Sequence, residues 1–288
     1  MATMAPQPGD VAASGTPDEF GALVAAQIPD LYRYARWLVA NSAEAEDVVG
    51  DTVVRAIERR GQFRGDSSLR AWLHRILYHL AIDRSRHLGH EISVRDVDDA
   101  WNDESFTLDA AEVVERAETR AELAEALVHL PVHYRTVVVL HDAHGWSAPE
   151  IASVLDIGVA ATQQRLRRGR MMLVNVLARA PQRREANRGV PLGCVEARAG
   201  VSNYLDDELG RTQRLALETH LATCATCPPL FRSLVGVTAS LGALNDPDSV
   251  IGPELVARIR ARTADHDDPG SPTAPHGRQR ATSRRDVD

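Results

Sequence analysis

The three cysteines of this 288-residue chain all lie between residues 194 and 227. With one histidine they form the pattern Cys-x25-His-x3-Cys-x2-Cys, whose candidate ligands are Cys194, His220, Cys224 and Cys227. A helix through His-x3-Cys places both ligands on one face, and the Cys-x2-Cys pair closes the other side. Four nitrogen and sulfur ligands with no open position favour tetrahedral structural zinc. Because so small a segment has little core, we expect the metal to contribute much of its folding free energy.

Three other interpretations of these residues stay open. The cysteines are ordinary buried side chains, or Cys224 and Cys227 form a redox pair without metal, or His220 lies on the surface and an acid completes the site. The use of every cysteine in the chain at ligand spacing favours the zinc site. A disulfide framework is disfavoured because we expect a reducing compartment.

Charge is distributed unevenly along the chain, whose net charge of −7 would by itself argue against nucleic-acid binding. Residues 55–87 hold eight arginines against three acids, and residues 165–188 hold eight arginines against one acid. Between these blocks, residues 96–125 hold eleven acids and two arginines. A single arginine-rich block would be explained by a solvated helix face. Two such blocks instead predict two DNA-facing segments that are separated by an acidic linker.

Hydrophobic spacing predicts an all-α fold built from small helical domains, because no stretch alternates with period two for long enough to form a strand. In the first domain, Asn41 or Ser42 is expected to cap the second helix, which covers residues 43–60. Ser67 or Ser68 is expected to cap a third helix over residues 69–87.

This third helix interleaves aromatic rings and guanidinium groups on its exposed side. Such pairing holds single-stranded DNA, because charge follows the phosphates while rings stack on unpaired bases. Trp72 and Tyr78 are equally explained as core aromatics, and both interpretations stay open. The candidate DNA contacts are Arg70, Trp72, Arg75, Tyr78, Arg84 and Arg86.

A helix-turn-helix is predicted further along the chain. Ser147 and Glu150 form a capping box, Gly158 is expected to break the first helix, and residues 159–177 form the second, basic helix. The second helix would enter the major groove, its first residues reading bases and its later arginines holding phosphates. A plain helical hairpin is the alternative. The candidate base readers are Thr162, Gln163, Gln164 and Arg165, and the candidate phosphate contacts are Arg167, Arg168 and Arg170.

Residues 18–88 resemble domain 2 of extracytoplasmic-function (ECF) sigma factors of bacterial RNA polymerase. The resemblance is carried by the run AEDVVGDTVVRAIERRGQFRGDSSLRAWLHRILYHLAIDRSR. It implies that the first half docks on the clamp helices of the polymerase β′ subunit, and that the second half opens the minus-ten promoter element. By resemblance, Glu46, Asp47, Asp51 and Arg55 bind polymerase, and Asp83 joins Arg70, Trp72, Arg75, Tyr78, Arg84 and Arg86 on the promoter side.

Residues 118–180 resemble sigma domain 4 through the runs LPVHYRTVVVLHDAHGWSAPEIASVL and ATQQRLRRGR. This resemblance implies binding to the minus-thirty-five element and to the β flap. Gln163 stands where the family usually has a lysine, which removes one contact to DNA. Two sigma domains in this order, joined by a short linker, are typical of the ECF group.

Residues 193–246 resemble zinc-binding anti-sigma domains, which carry a Tyr-Leu-Asp-x-Glu-Leu stretch, here residues 204–209, before His-x3-Cys-x2-Cys. Such domains normally belong to a separate protein and insert between the two sigma domains. The fusion implies an intramolecular contact of sigma with anti-sigma. Pro228 and Pro229 after the last ligand depart from the family pattern.

We expect residues 1–17 to be disordered and residues 247–288 to form a mostly disordered tail. Residues 89–117 are expected to form an acidic linker, and residues 181–192 a second linker. No segment is apolar enough to span a membrane and no secretory signal is present, so we expect a cytoplasmic protein without a membrane partner. No motif indicates an enzyme.

The sequence thus predicts a sigma factor that binds core RNA polymerase and directs it to promoter DNA. We expect it to be regulated in cis by a C-terminal anti-sigma-like domain that responds to zinc or to redox state, with one structural or redox-sensitive zinc site. Two alternatives remain. In one, the zinc domain is a structural appendage. In the other, the chain is a helix-turn-helix regulator that does not bind polymerase.

Overall fold

A computed structural model describes residues 16–39, 41–65, 67–85, 92–183, 192–244 and 253–264. Within these ranges the chain forms helices joined by turns, together with one antiparallel pair of two-residue strands. The predicted all-α class is confirmed. None of the helices in this part of the chain is long and apolar enough to cross a bilayer.

Three of the four helices in the first helical domain begin at a side-chain cap. Thr16 and Glu19 form a capping box, the Asn41 side chain accepts from the Glu44 amide at 2.8 Å, and the Ser68 hydroxyl accepts from the Ala71 amide at 3.1 Å. These caps satisfy amides that no helical carbonyl can reach. The helices are α1 (Pro17–Ala26), α2 (Ile28–Leu38), α3 (Ser42–Glu58) and α4 (Leu69–Ser85).

The acidic linker is folded. It contains helices α5 (Val94–Asn102) and α6 (Ala110–Glu118), and strand β1 (Phe106–Thr107) lies between them. Strand β1 pairs with β2 (Gln182–Arg183), which follows the second helical domain. This pairing therefore ties the linker to the segment that follows the second helical domain.

The second helical domain has the predicted helix-turn-helix. Ser147 and Glu150 form the expected capping box, but the residue that ends the first helix is Asp156, whose φ of 55° is left-handed. Gly158, which we predicted to break this helix, instead caps the next one at an ordinary φ of −71°. The elements are α7 (Arg120–Val128), α8 (Val132–Val138), a π-helical turn (Val139–Ala143), α9 (Ala148–Leu155) and α10 (Val159–Leu177).

The described residues of the C-terminal region contain four helices. They are α11 (Cys194–Leu205), α12 (Arg211–Thr223), α13 (Cys227–Ala243) and α14 (Pro253–Ala264). The prediction of a mostly disordered tail is wrong for α14, because Leu255 and Ile259, one turn apart, bury one face of that helix. The rest of that tail, and residues 1–15 at the other end, lie outside the described residues.

Glycines permit close contact between helices at two places in the core. In α13, a Cβ atom added to Gly236 would lie 2.4 Å from Val114 Cγ2 in α6. In α10, a Cβ atom added to Gly169 would lie 2.6 Å from Val138 Cγ2 and 3.2 Å from the Tyr134 carbonyl oxygen in α8. The long basic helix α10 is thereby fixed against the domain that carries it.

We predict that Gly169→Ala lowers the melting temperature. Overpacking costs about 1–3 kcal/mol, which exceeds the roughly 1 kcal/mol that alanine contributes to a helix. Gly21→Ala in α1 is the control, since nothing lies within 4 Å of its added Cβ. Calorimetry should show a lower midpoint for the first variant and an unchanged or higher midpoint for the second. Equal midpoints would contradict the packing argument.

Candidate metal centre and nucleic-acid interface

The four predicted ligands converge at one point. Cys194 is the first residue of α11, His220 lies in the last turn of α12, Cys224 follows that helix, and Cys227 is the first residue of α13. All four are buried, and their ligand atoms lie within 4.8 Å of one another. Three helix ends are thus brought together by one cluster of side chains.

The sulfur spacing fits a tetrahedral metal rather than a disulfide. The Sγ atoms of Cys194 and Cys224 are 3.7 Å apart. A disulfide bond needs about 2.05 Å, whereas two sulfurs each about 2.3 Å from a tetrahedral zinc ion lie about 3.8 Å apart. The cluster has the dimensions of a Cys3His zinc site.

The orientation of His220 supports the same conclusion. Its Nδ1 lies 2.8 Å from the Leu192 carbonyl oxygen, to which it donates a hydrogen bond when that nitrogen carries the proton. Its Nε2 is buried and has no hydrogen-bond partner in the described part of the chain. This tautomer leaves the Nε2 lone pair facing the thiols, as in metal-binding histidines that are fixed by a carbonyl.

The three thiols differ in acidity. Burial raises the pKa of Cys227 to about 12 and raises the pKa of Cys194. Burial also raises the pKa of Cys224, but hydrogen bonds from Thr226 and from the Cys227 amide outweigh it and lower this pKa to about 6. Since metal ligands are thiolates, zinc binding must release protons, and zinc is held less tightly in acid.

We predict that the purified chain contains one zinc ion and that His220→Ala weakens its binding. The substitution removes one of four ligands and leaves the three sulfurs in place. His79→Ala is the matched control, because His79 is exposed on α4. Metal content should be measured by mass spectrometry after competition with a chelator. Equal zinc retention in the two variants would exclude His220 as a ligand.

The predicted promoter residues of α4 face the second helical domain. The Arg70 guanidinium donates to Asp30 at 2.7 Å and lies 4.5 Å from the ring centre of Trp146. Arg75 donates to the carbonyl oxygens of Val154, at 3.1 Å, and Ser153, at the end of α9. These two arginines therefore bind protein groups in this arrangement.

The aromatic residues of α4 are largely covered. Trp72 is half-buried against Phe20 and Phe63, and Tyr78 is buried. Burial raises the pKa of Tyr78, while the adjacent Arg165 of α10 opposes this shift. The two helices that were predicted to bind DNA thus face each other.

The other promoter residues of α4 lie near its end. Asp83 is exposed, and Arg84 donates to Asp51 of α3 at 2.6 Å. Arg86 lies outside the described residues.

The predicted reading helix α10 contacts acids of the same chain. The Gln163 amide donates to Glu208 at 2.9 Å, and Arg168 lies 2.8 Å from Asp98. Thr162 is buried and its hydroxyl donates to the Gly158 carbonyl, so in this arrangement it offers no surface to a base. Gln164 is exposed, while Arg165 and Arg167 are half-buried.

Arg170 has the most enclosed position of these residues. Its guanidinium pairs with Asp142 of the π-helical turn and with Asp206, at 2.7 Å, just after α11. Burial lowers the pKa of Arg170, but the two carboxylates outweigh it and raise this pKa overall. Arg170 therefore joins the helix-turn-helix to the cysteine-histidine domain and is not available to a phosphate in this arrangement.

The predicted polymerase-binding helix α3 lies beneath α14. Glu46 accepts from Arg258 of α14 at 3.0 Å, and Asp51 is the partner of Arg84. Asp47 and Arg55 are half-buried on the same helix.

Three protein families match successive parts of the chain. Sigma-70 region 2 matches residues 23–91, Sigma-70 region 4 matches residues 120–173, and a zinc-finger family matches residues 194–227. ECF sigma factor SigL of Mycobacterium tuberculosis is 33% identical over 138 residues, which are 47% of this chain and 76% of SigL. The chain belongs to the ECF sigma factors.

Two other proteins are similar to a comparable part of the chain. The sigma factor CarQ of Myxococcus xanthus is 30% identical over 54% of this chain and 87% of its own length. Among solved structures, CnrH in complex with the cytosolic domain of CnrY matches 59% of this chain and 94% of its own, with 30% identity and a TM-score of 0.43. We use the names sigma domain 2 for α1–α4, sigma domain 4 for α7–α10 and zinc domain for α11–α13.

A buried cluster between the sigma domains of this ECF factor was not predicted. His74 of sigma domain 2 packs against the Trp146 ring of sigma domain 4 at 4.8 Å and against Tyr34 at 5.0 Å. Asp30 lies 3.6 Å from His74 and 3.9 Å from His144. Burial lowers the pKa of each histidine to about 4 despite the attraction of Asp30. Nothing in the sequence distinguishes these histidines from exposed ones.

We predict that acid loosens the contact between the sigma domains. Each histidine has a folded pKa near 4 and an unfolded value of 6.5, so the opened chain binds more protons between these limits. Stability should therefore fall as the pH falls from about 6.5 towards 4. The melting temperature should depend less on pH in His74→Gln than in the wild type, and His79→Gln is the control. If the melting temperature of His74→Gln depends on pH as steeply as that of the wild type, His74 is not responsible for the loss of stability in acid.

Proposed function

We propose that this ECF sigma factor, which directs core RNA polymerase to promoters in the cytoplasm, is held closed by its own C-terminal region. In the closed form, the zinc domain covers sigma domain 4 and α14 covers the surface for the β′ clamp helices. The observation that carries the proposal is the packing of α14 on α3. Opening would expose α3 to the β′ subunit, sigma domain 4 to the β flap, and both DNA-binding helices to the promoter.

The contact of α14 with α3 combines apolar burial and charge. Leu255 is 9% exposed and Ile259 is 1% exposed, and Arg258 pairs with Glu46. Glu46 is one of the acids that the family resemblance assigns to polymerase binding. A polymerase subunit and α14 would therefore compete for one face of α3.

The zinc domain presents acids to the reading helix of sigma domain 4. Glu208 binds the side chain of Gln163, and Asp206 binds that of Arg170. A carboxylate offers a guanidinium the same bidentate geometry as a phosphate. These acids thus occupy groups that would otherwise bind DNA.

The dimensions of a promoter also require opening. The two promoter elements are named for positions about 25 base pairs apart, which is roughly 85 Å along B-DNA at ~3.4 Å per pair. A compact chain of this length has a radius of gyration of about 19 Å. Sigma domains packed through Arg75, Val154 and Trp146 are too close together to reach both elements.

Release of α14 tests the proposal directly. Burial of an isoleucine side chain contributes about 1.5–3 kcal/mol, so Ile259→Asp should raise the affinity for core polymerase roughly tenfold. Ala261→Asp is the matched control, because Ala261 lies on the exposed face of the same helix. Run-off transcription and binding to core polymerase should both increase in the first variant alone.

A chain truncated after residue 191 distinguishes the alternatives. Under cis regulation it should be more active in run-off transcription than the full chain. If the zinc domain is only an appendage, the two chains should be equally active. If neither chain binds core polymerase, the chain would instead be a DNA-binding regulator.

A further inference from the structure

A buried arginine connects the metal centre to the linker between the sigma domains. Arg198 of α11 is 3% exposed, and its Nε lies 3.4 Å from the Cys227 sulfur. Its other nitrogens donate to the carbonyl oxygens of Trp101 (2.9 Å), Asp103 (2.7 Å), Glu104 (3.3 Å) and Phe106 (2.9 Å). One side chain thus binds a cysteine of the cluster and four peptide groups of the linker.

The linker peptides require such a donor. The carbonyl of Trp101 lies in the last turn of α5, where no helical amide remains to bind it. The negative end of the helix dipole also favours a cation there. The flat fork of a guanidinium has more N–H donors than an ammonium and holds them in a fixed geometry, so one side chain can satisfy all of these carbonyls at once.

The charge of Arg198 needs an anion, and the carbonyls are neutral. The hydrogen bonds of Arg198 in the described part of the chain go to carbonyls, the Thr226 hydroxyl and the Cys227 sulfur. Three thiolates and a neutral imidazole around a divalent cation carry a net charge of −1. The cluster therefore has the charge that a buried guanidinium requires.

We propose that Arg198 is a positioning residue that makes the fold of linker residues 101–107 depend on the state of the metal centre. Loss of the metal frees the Cys227 sulfur that Arg198 contacts, so Arg198 is no longer held in place and releases the linker carbonyls. The inference rests on the proposed cis regulation, and it states how the metal centre would act on the sigma domains, namely through the linker that joins them. Sigma domains joined by a released linker are free to separate.

Hydrogen exchange of the full chain tests the proposal without polymerase. In the wild type, zinc removal by a chelator should speed amide exchange in residues 101–107, while α1, which packs within sigma domain 2, serves as the internal reference. Arg198→Gln should bind zinc about 10–100 times more weakly, as expected for a group that supports a ligand. In its zinc-loaded state residues 101–107 should already exchange fast, and zinc removal should add little.

Two further variants separate this role from a purely structural one. Arg198→Lys keeps the charge without the fork, so it should retain most of the zinc affinity while residues 101–107 exchange faster. Arg232→Gln, on the exposed side of α13, should change neither quantity. If Arg198→Gln does not fold, Thr107→Val removes the hydrogen bond from Thr107 to the Thr226 carbonyl, 3.0 Å long, without touching a thiol. Its linker amides should then exchange faster at unchanged zinc affinity.

The wild type alone can overturn the inference. If zinc removal speeds exchange in residues 194–227 but leaves residues 101–107 protected, Arg198 does not transmit the state of the cluster. The proposed regulation would survive that result, since it depends on whether truncation and Ile259→Asp raise transcription. Conversely, equal transcription by those chains would reject the regulation and leave the exchange result intact.

Discussion

Convergence of the four ligands is the constraint on which the C-terminal half of the molecule depends. The cluster fixes the start of α11, the end of α12 and the start of α13 relative to one another. From these fixed points α11 leads to Asp206, which pairs with Arg170. In the same way α13 runs to Gly236, where it packs closely against α6. The metal centre therefore determines how these helices are placed for their contacts with the rest of the chain.

The arrangement of charge explains how an acidic chain carries two basic blocks. Arginines of sigma domain 4 are paired with acids that lie elsewhere in the sequence, Arg168 with Asp98 in the linker and Arg170 with Asp206 beyond the domain. The excess of acids between the basic blocks is thus partly placed against the second of them. The more exposed pair of Arg168 with Asp98 contributes little stability by itself, so it specifies orientation while apolar packing supplies the free energy.

Much of this structure could be predicted from local patterns. The helices α3, α4 and α10, the capping box of Ser147 and the convergence of the four candidate ligands follow from spacing within short segments, and the structure has all of them. The spacing of Leu255 and Ile259 is consistent with helix α14, but the polar residues around them outweighed this pattern. No sequence pattern indicates the role of Arg198, because the burial of this arginine depends on carbonyls almost a hundred residues away in sequence. Long-range partners of this kind are not visible in periodicity.

The attachment of α14 to the chain it covers has a consequence for how such a factor responds to a cell. Among the described residues, α14 buries Leu255 and Ile259, and a free peptide with so small a contact would bind weakly. A short tether raises the local concentration of a segment to the order of millimolar, so a weak contact suffices. The ratio of inhibitor to factor is then one at every expression level. Neither dilution nor synthesis of more protein releases the factor, and a signal must act on the chain itself.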